Sequence, residues 1–101
     1  MMGKLVRDRI PDIIEADGRV ARTRVLDRDE YRSALLDKLV EEAHELREAH
    51  NGDERLGELA DVHEVFTSLL AAFGIAAEEV AAAATAKRAE RGGFDRRIWL
   101  E

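Results

Sequence analysis

The chain has 101 residues, a net charge of −6 and a pI near 5.1, a length that suits a single domain, residues 1–101, with a thin core. The acidic balance excludes a general nucleic-acid surface, which needs a basic face to displace counterions. The absence of cysteine excludes disulfides and thiolate metal sites.

Charged residues make up 38% of the chain, well above the roughly 25% of an average domain. The excess lies mostly in glutamate and arginine, among abundant alanine and leucine, a mix that favours helices. Residues 1–10 alternate charged and apolar side chains and lack the apolar run of a signal peptide. The longest apolar stretch, residues 69–77, is too short to span a bilayer. The expectation is a cytoplasmic protein with no membrane partner.

In chain order, residues 4–16 predict a short opening helix or turn. Pro11 suits a first helical turn and Gly18 a stop. Residues 19–26 carry Val20, Thr23 and Val25 among basic residues and predict a short strand or extended arm. Asp27 and Glu30 form a capping-box signal ahead of a long helix over residues 28–50. Its apolar stripe is Leu35, Leu36, Leu39, Val40, Ala43 and Leu46. Asn51-Gly52-Asp53 predicts a turn, with Asp53 as cap, and a helix over residues 54–73 ending at Gly74. That helix has a wide apolar face, including Leu56, Leu59, Val65, Phe66 and Phe73, more than one partner helix covers. An alanine-rich helix over residues 77–91 follows and stops at Gly92-Gly93. Ala76 is a poor cap for it. The tail, with Phe94, Ile98, Trp99 and Leu100, is expected to dock on the bundle. The fold class is therefore all-α, an antiparallel helical bundle completed by oligomerisation, with an extended arm near the N-terminus.

Two acidic motifs carry the chemistry. Glu41-Glu42-Ala43-His44-Glu45 lies on the long helix and Glu58-Leu59-Ala60-Asp61 on the next. Acids three apart share a helix face, and a short turn makes the helices antiparallel neighbours. On a helical wheel Glu42 and Glu58 lie roughly 70–80° from the centre of their apolar stripes, Glu45 and Asp61 roughly 130–140°. Four carboxylates in one groove repel unless a cation lies between them. Mg²⁺ is the natural choice, a hard ion that takes oxygen ligands and keeps waters for a phosphate substrate, with Mn²⁺ as the alternative. His63-Glu64 lacks the second histidine of a zinc-protease motif. His44 and His50, six apart, do not share a helix face and are read as surface or structural residues.

At these residues the sequence resembles the MazG-like all-α nucleoside triphosphate pyrophosphohydrolases, a superfamily that also includes dimeric dUTPases and phosphoribosyl-ATP pyrophosphohydrolase. Glu42-x-x-Glu45, twelve residues, then Glu58-x-x-Asp61 matches the superfamily's metal signature. Lys4-Leu5-Val6-Arg7-Asp8-Arg9-Ile10-Pro11 and Lys87-Arg88-Ala89-Glu90-Arg91-Gly92-Gly93-Phe94 resemble the two ends of a short, single-domain branch. The resemblance implies Mg²⁺-dependent cleavage of the α–β phosphoanhydride of a nucleoside triphosphate, in nucleotide housecleaning. It assigns Glu42, Glu45, Glu58 and Asp61 as metal ligands, Glu41 as a further ligand or base, and a homodimer or homotetramer as the assembly.

On that reading Glu41 or Glu45 accepts the proton of the attacking water, and Lys38, Lys87, Arg91, Lys4 and Arg7 are the candidate phosphate-binding cations. Three alternatives compete. The first is a phosphoribosyl-ATP pyrophosphohydrolase. The second is a non-catalytic helical module that binds a nucleotide or a protein partner. The third is a helical oligomer whose acids are merely solvated.

Overall fold

Each helix begins where a local signal starts it. In the computed structural model, which describes residues 3–101, there are four: α1 (Ile10–Ala16), α2 (Arg28–Glu48), α3 (Gly52–Phe73) and α4 (Ala77–Arg91), and no strand among the described residues. Met1 and Met2, the start of the segment read as lacking a leader, lie outside the described residues. No single helix is long and apolar enough to cross a membrane.

The opening helix is shorter than predicted. It starts at Ile10 with Pro11 in its first turn, and residues 3–9 run ahead of it without helix or strand. Gly18 ends it at φ +82°, a conformation glycine adopts without a Cβ penalty. Residues 19–27 form neither helix nor strand, so of the strand or extended arm predicted there the strand does not form. Arg24 instead holds Glu30 through both guanidinium nitrogens, at 3.2 and 3.1 Å.

The capping box forms as read. The Asp27 carboxylate accepts from the Glu30 N–H at 2.9 Å, and Glu30 accepts from the Asp27 N–H at 3.2 Å. At α3 the cap is Asn51, not Asp53: its side-chain oxygen accepts from the Glu54 N–H at 2.9 Å. The helix starts two residues earlier than predicted, so Asp53 falls inside its first turn, where an acid still suits the helix dipole. Gly74, at φ +67° and ψ +32°, ends α3, and the Ile75 N–H reaches back to the Leu70 carbonyl, a Schellman-type stop. The chain then bends by 110° into α4. Ala76 offers no side-chain acceptor; its N–H donates to Glu79 at 3.0 Å.

Residues 49–51 fold α3 back along α2, and these two helices form the main packed unit. Arg32 closes the far end of the pair. Its Nε donates to the Ala72 carbonyl at 2.8 Å and its guanidinium sits 4.9 Å from the centre of the Phe73 ring. Leu35, 3% exposed, and Val65, 7% exposed, are the buried apolar residues between them. The expected bundle is therefore, within one chain, a two-helix hairpin, with α1 and α4 making no extensive packing against it. The tail does not dock: Phe94 is 95% and Trp99 85% exposed. A docked tail needs an apolar surface within reach, and α4 carries residues 94–101 off the hairpin.

Candidate metal centre

The α2–α3 groove collects the acids that the two i, i+3 motifs place on facing edges. Glu42, Glu58 and Asp61 each offer a carboxylate oxygen within 4.8 Å of the others. Glu42 is buried at 5% exposure, while Glu58 and Asp61 are half-buried. Glu45 is exposed and lies outside this set of three, yet its charge is close enough to act on both Glu42 and Glu58. The wheel placed Glu42 and Glu58 nearest the apolar stripes. The structure keeps that order except that Asp61 is drawn in toward them.

Burial sets the electrostatics. Glu42 is pushed up to about 7, first by desolvation, then by the charges of Glu45 and Asp61, with Lys38 pulling the other way. Glu58 is raised for the same reasons, desolvation first and then Glu45 and Asp61. Among the described residues, Glu42 Oε2 and Glu58 Oε2 are buried oxygens with no hydrogen-bond partner. Buried carboxylate oxygens left unpaired are costly, and a hard cation with oxygen ligands satisfies both at once. The residues present therefore fit a divalent metal.

Two of the predicted cations reach the acids. Lys38 Nζ lies 3.6 Å from Glu42 and 3.4 Å from Glu41. Arg7, from the non-helical segment before α1, donates to Asp61 at 2.6 Å across a separation of 54 residues. Lys4 is exposed, and Lys87 and Arg91 lie exposed on α4. Within one chain α4 leaves the hairpin at its bend, which carries Lys87 and Arg91 away from the groove.

Two cavities are lined by the acids, each by a different pair of the four. One, of about 420 Å³, runs from Arg7, Lys38, Glu42 and Asp61 toward Tyr31 and Ser68. The other, of about 360 Å³, lies at the turn and is lined by His44, Glu45, Glu48, His50, Glu54 and Glu58. His44 and His50 thus line one cavity, although six-residue spacing separates them on a wheel. Helix α2 ends at Glu48, so His50 sits in the turn, where the wheel does not apply. Its N–H donates to Glu54 at 3.0 Å. Tyr31 and Ser68 carried no signal in the sequence beyond their register with Leu35 and Val65.

A protein-family model described as phosphoribosyl-ATP pyrophosphohydrolase matches residues 13–88, a span that contains every acid of the groove. An uncharacterized protein of Mycolicibacterium smegmatis is 53% identical over 55 residues, which cover 54% of this chain and 56% of that relative. The match thus spans little more than half the length of either protein. No solved structure matches.

Proposed function

The chain belongs to the phosphoribosyl-ATP pyrophosphohydrolase family, and on that premise we propose that it is a Mg²⁺-dependent pyrophosphohydrolase that converts a nucleoside triphosphate to the monophosphate and pyrophosphate. The observation that carries this reading is the pair of buried, unpartnered oxygens of Glu42 and Glu58 beside Asp61. Glu42, Glu45, Glu58 and Asp61 would hold the metal, with Mn²⁺ as a substitute. When bound, the ion supplies charge neutralisation of the triphosphate and a more acidic water.

The chain's own side chains do the rest. Glu41, which pairs with Lys38, or the exposed Glu45 takes the proton of the attacking water. Lys38 and Arg7 stand beside the acids and stabilise the departing pyrophosphate. Lys4, beside the cavity-lining Leu5, is a further candidate, whereas Lys87 and Arg91 join them only if a second chain carries them in. Water adds at the α-phosphorus, the α–β bridging bond breaks, and its electron pair leaves with pyrophosphate. The description of the matched family favours phosphoribosyl-ATP as a second substrate for the same chemistry.

We further propose a homodimer or homotetramer acting in the cytoplasm in nucleotide housecleaning. Support for the assembly comes from an accessible surface of 9148 Å², against about 5,700 Å² for a compact monomer of this mass.

The test is incubation with Mg²⁺ and a panel of nucleoside triphosphates plus phosphoribosyl-ATP, reading monophosphate and pyrophosphate. Both products are expected, and a Glu42→Gln, Asp61→Asn double variant should lose them. A folded protein that turns over nothing on the panel would instead be a nucleotide- or partner-binding module.

A further inference from the structure

The larger cavity has two chemically different ends. At one end lie Lys38, Glu42, Asp61 and Arg7; toward the other, Leu35 and Val65 form a buried apolar floor that leads to Tyr31 and Ser68. On α2, positions 31, 35, 38 and 42 fall on one face, and on α3 so do 61, 65 and 68. The Arg32–Ala72 hydrogen bond fixes the start of α2 against the end of α3, so Tyr31 and Ser68 belong to the same end of the groove. The eleven-residue step from Glu42 back to Tyr31 is about 16 Å along the helix, comparable to an extended nucleoside triphosphate.

Resting on the reading of the acids as the triphosphate end, we propose that the Tyr31–Ser68 end is the nucleoside subsite. The half-buried Tyr31 ring gives the base an aromatic face, and the Ser68 hydroxyl gives it a donor and acceptor. The polarity of the groove sets the direction of binding. Phosphates cannot be solvated over Leu35 and Val65, whereas a base and sugar can lie there. Glu64, an exposed acid on the same cavity wall, repels phosphate from that stretch and accepts hydrogen bonds from sugar hydroxyls or base amines. Recognition of this kind is tolerant of base identity, since every base has a π face.

Tyr31 is the chain's single tyrosine, so its ring resonances report the subsite directly. The full-length protein is titrated, in Mg²⁺, with an α,β-methylene nucleoside triphosphate that resists cleavage and, separately, with inorganic triphosphate. The ring signals should shift with the nucleotide and stay nearly still with triphosphate. By calorimetry, Tyr31→Ala should weaken the nucleotide analogue about tenfold or more, the range of base–aromatic stacking, and leave inorganic triphosphate within about twofold. Tyr31→Phe keeps the ring and should bind the analogue nearly as well as the wild type. Equal weakening of both ligands by Tyr31→Ala, or ring signals unmoved by bound nucleotide, overturns the subsite. If the wild type still yields monophosphate and pyrophosphate in that case, the subsite alone is wrong. If it neither binds nor cleaves any triphosphate, the reading of the acids falls with it.

Discussion

Glu42 holds a carboxylate where water barely reaches, and its chemistry follows from that. Its pKa is raised to about 7 by burial and by Glu45 and Asp61, so the folded chain binds this proton more tightly than the unfolded chain does. The resulting stability is fully present below the ordinary value of 4.5 and is lost as pH rises through 7. Glu58 adds to the trend in the same direction. Glu30 is lowered by its Arg24 and backbone hydrogen bonds, and its effect falls at more acid pH, outside this window. In EDTA the melting temperature should therefore fall between about pH 4.5 and 7 and level off above. Mg²⁺ should raise it most above pH 7, because metal binding needs ionised carboxylates. Glu42→Gln should make the EDTA slope shallower and remove most of the Mg²⁺ response. Thermal melts monitored by circular dichroism across that range decide it, and an unchanged slope in Glu42→Gln would show that the titrating group lies elsewhere.

Helix ends, rather than helix interiors, fix where the acids fall. The Asp27–Glu30 box starts α2, and from that start Tyr31, Leu35, Lys38 and Glu42 follow on one face. Asn51 does the same for α3, and its placement, with that of Gly74, sets the register in which Glu58 and Asp61 meet Glu42. Asp27→Ala should cost about 1 kcal/mol of unfolding free energy, as loss of a side-chain cap does, measured by urea denaturation. Its effect on activity should be smaller than that of any change to the acids, since α2 keeps its register through packing of Leu35. A loss of several kcal/mol would mean that the cap also anchors residues 19–27, through the Arg24–Glu30 pair, more firmly than an exposed ion pair normally does.

As a whole, one chain is extended. Its radius of gyration is 17.3 Å, against about 13 Å for a compact chain of this length. Leu36, Val40, Leu56, Leu59, Phe66 and Phe73 are exposed on the two main helices, and Phe94, Ile98, Trp99 and Leu100 on the tail. In the proposed assembly this apolar surface is the association face. Light scattering on the purified protein should give a multiple of the 11.3 kDa chain mass. Leu59→Lys should shift that equilibrium toward the single chain. A wild-type mass of 11.3 kDa would show that these faces are not covered by a second copy, and it would leave Lys87 and Arg91 without a route to the groove.

The helices, most of their ends and the pairing of acids at three-residue spacing were legible from the sequence, because caps, periodicity and i, i+3 geometry are local properties of the chain. The matched acidic edges of two consecutive helices were legible for the same reason, since a short turn leaves antiparallel packing as the way to bury both apolar stripes. What the sequence could not decide depends on contacts between distant residues or on where a helix stops. Arg7 meets Asp61, 54 residues away, only because the segment before α1 returns to the hairpin. Asn51 displaces Asp53 as cap, and His50 comes beside His44 at one cavity, because α2 stops at Glu48. The tail stays exposed because the bend after Gly74 turns α4 away. Which three acids share one point, and which fourth stands beside them, is a matter of packing distances of a few ångströms, which the helical wheel does not contain.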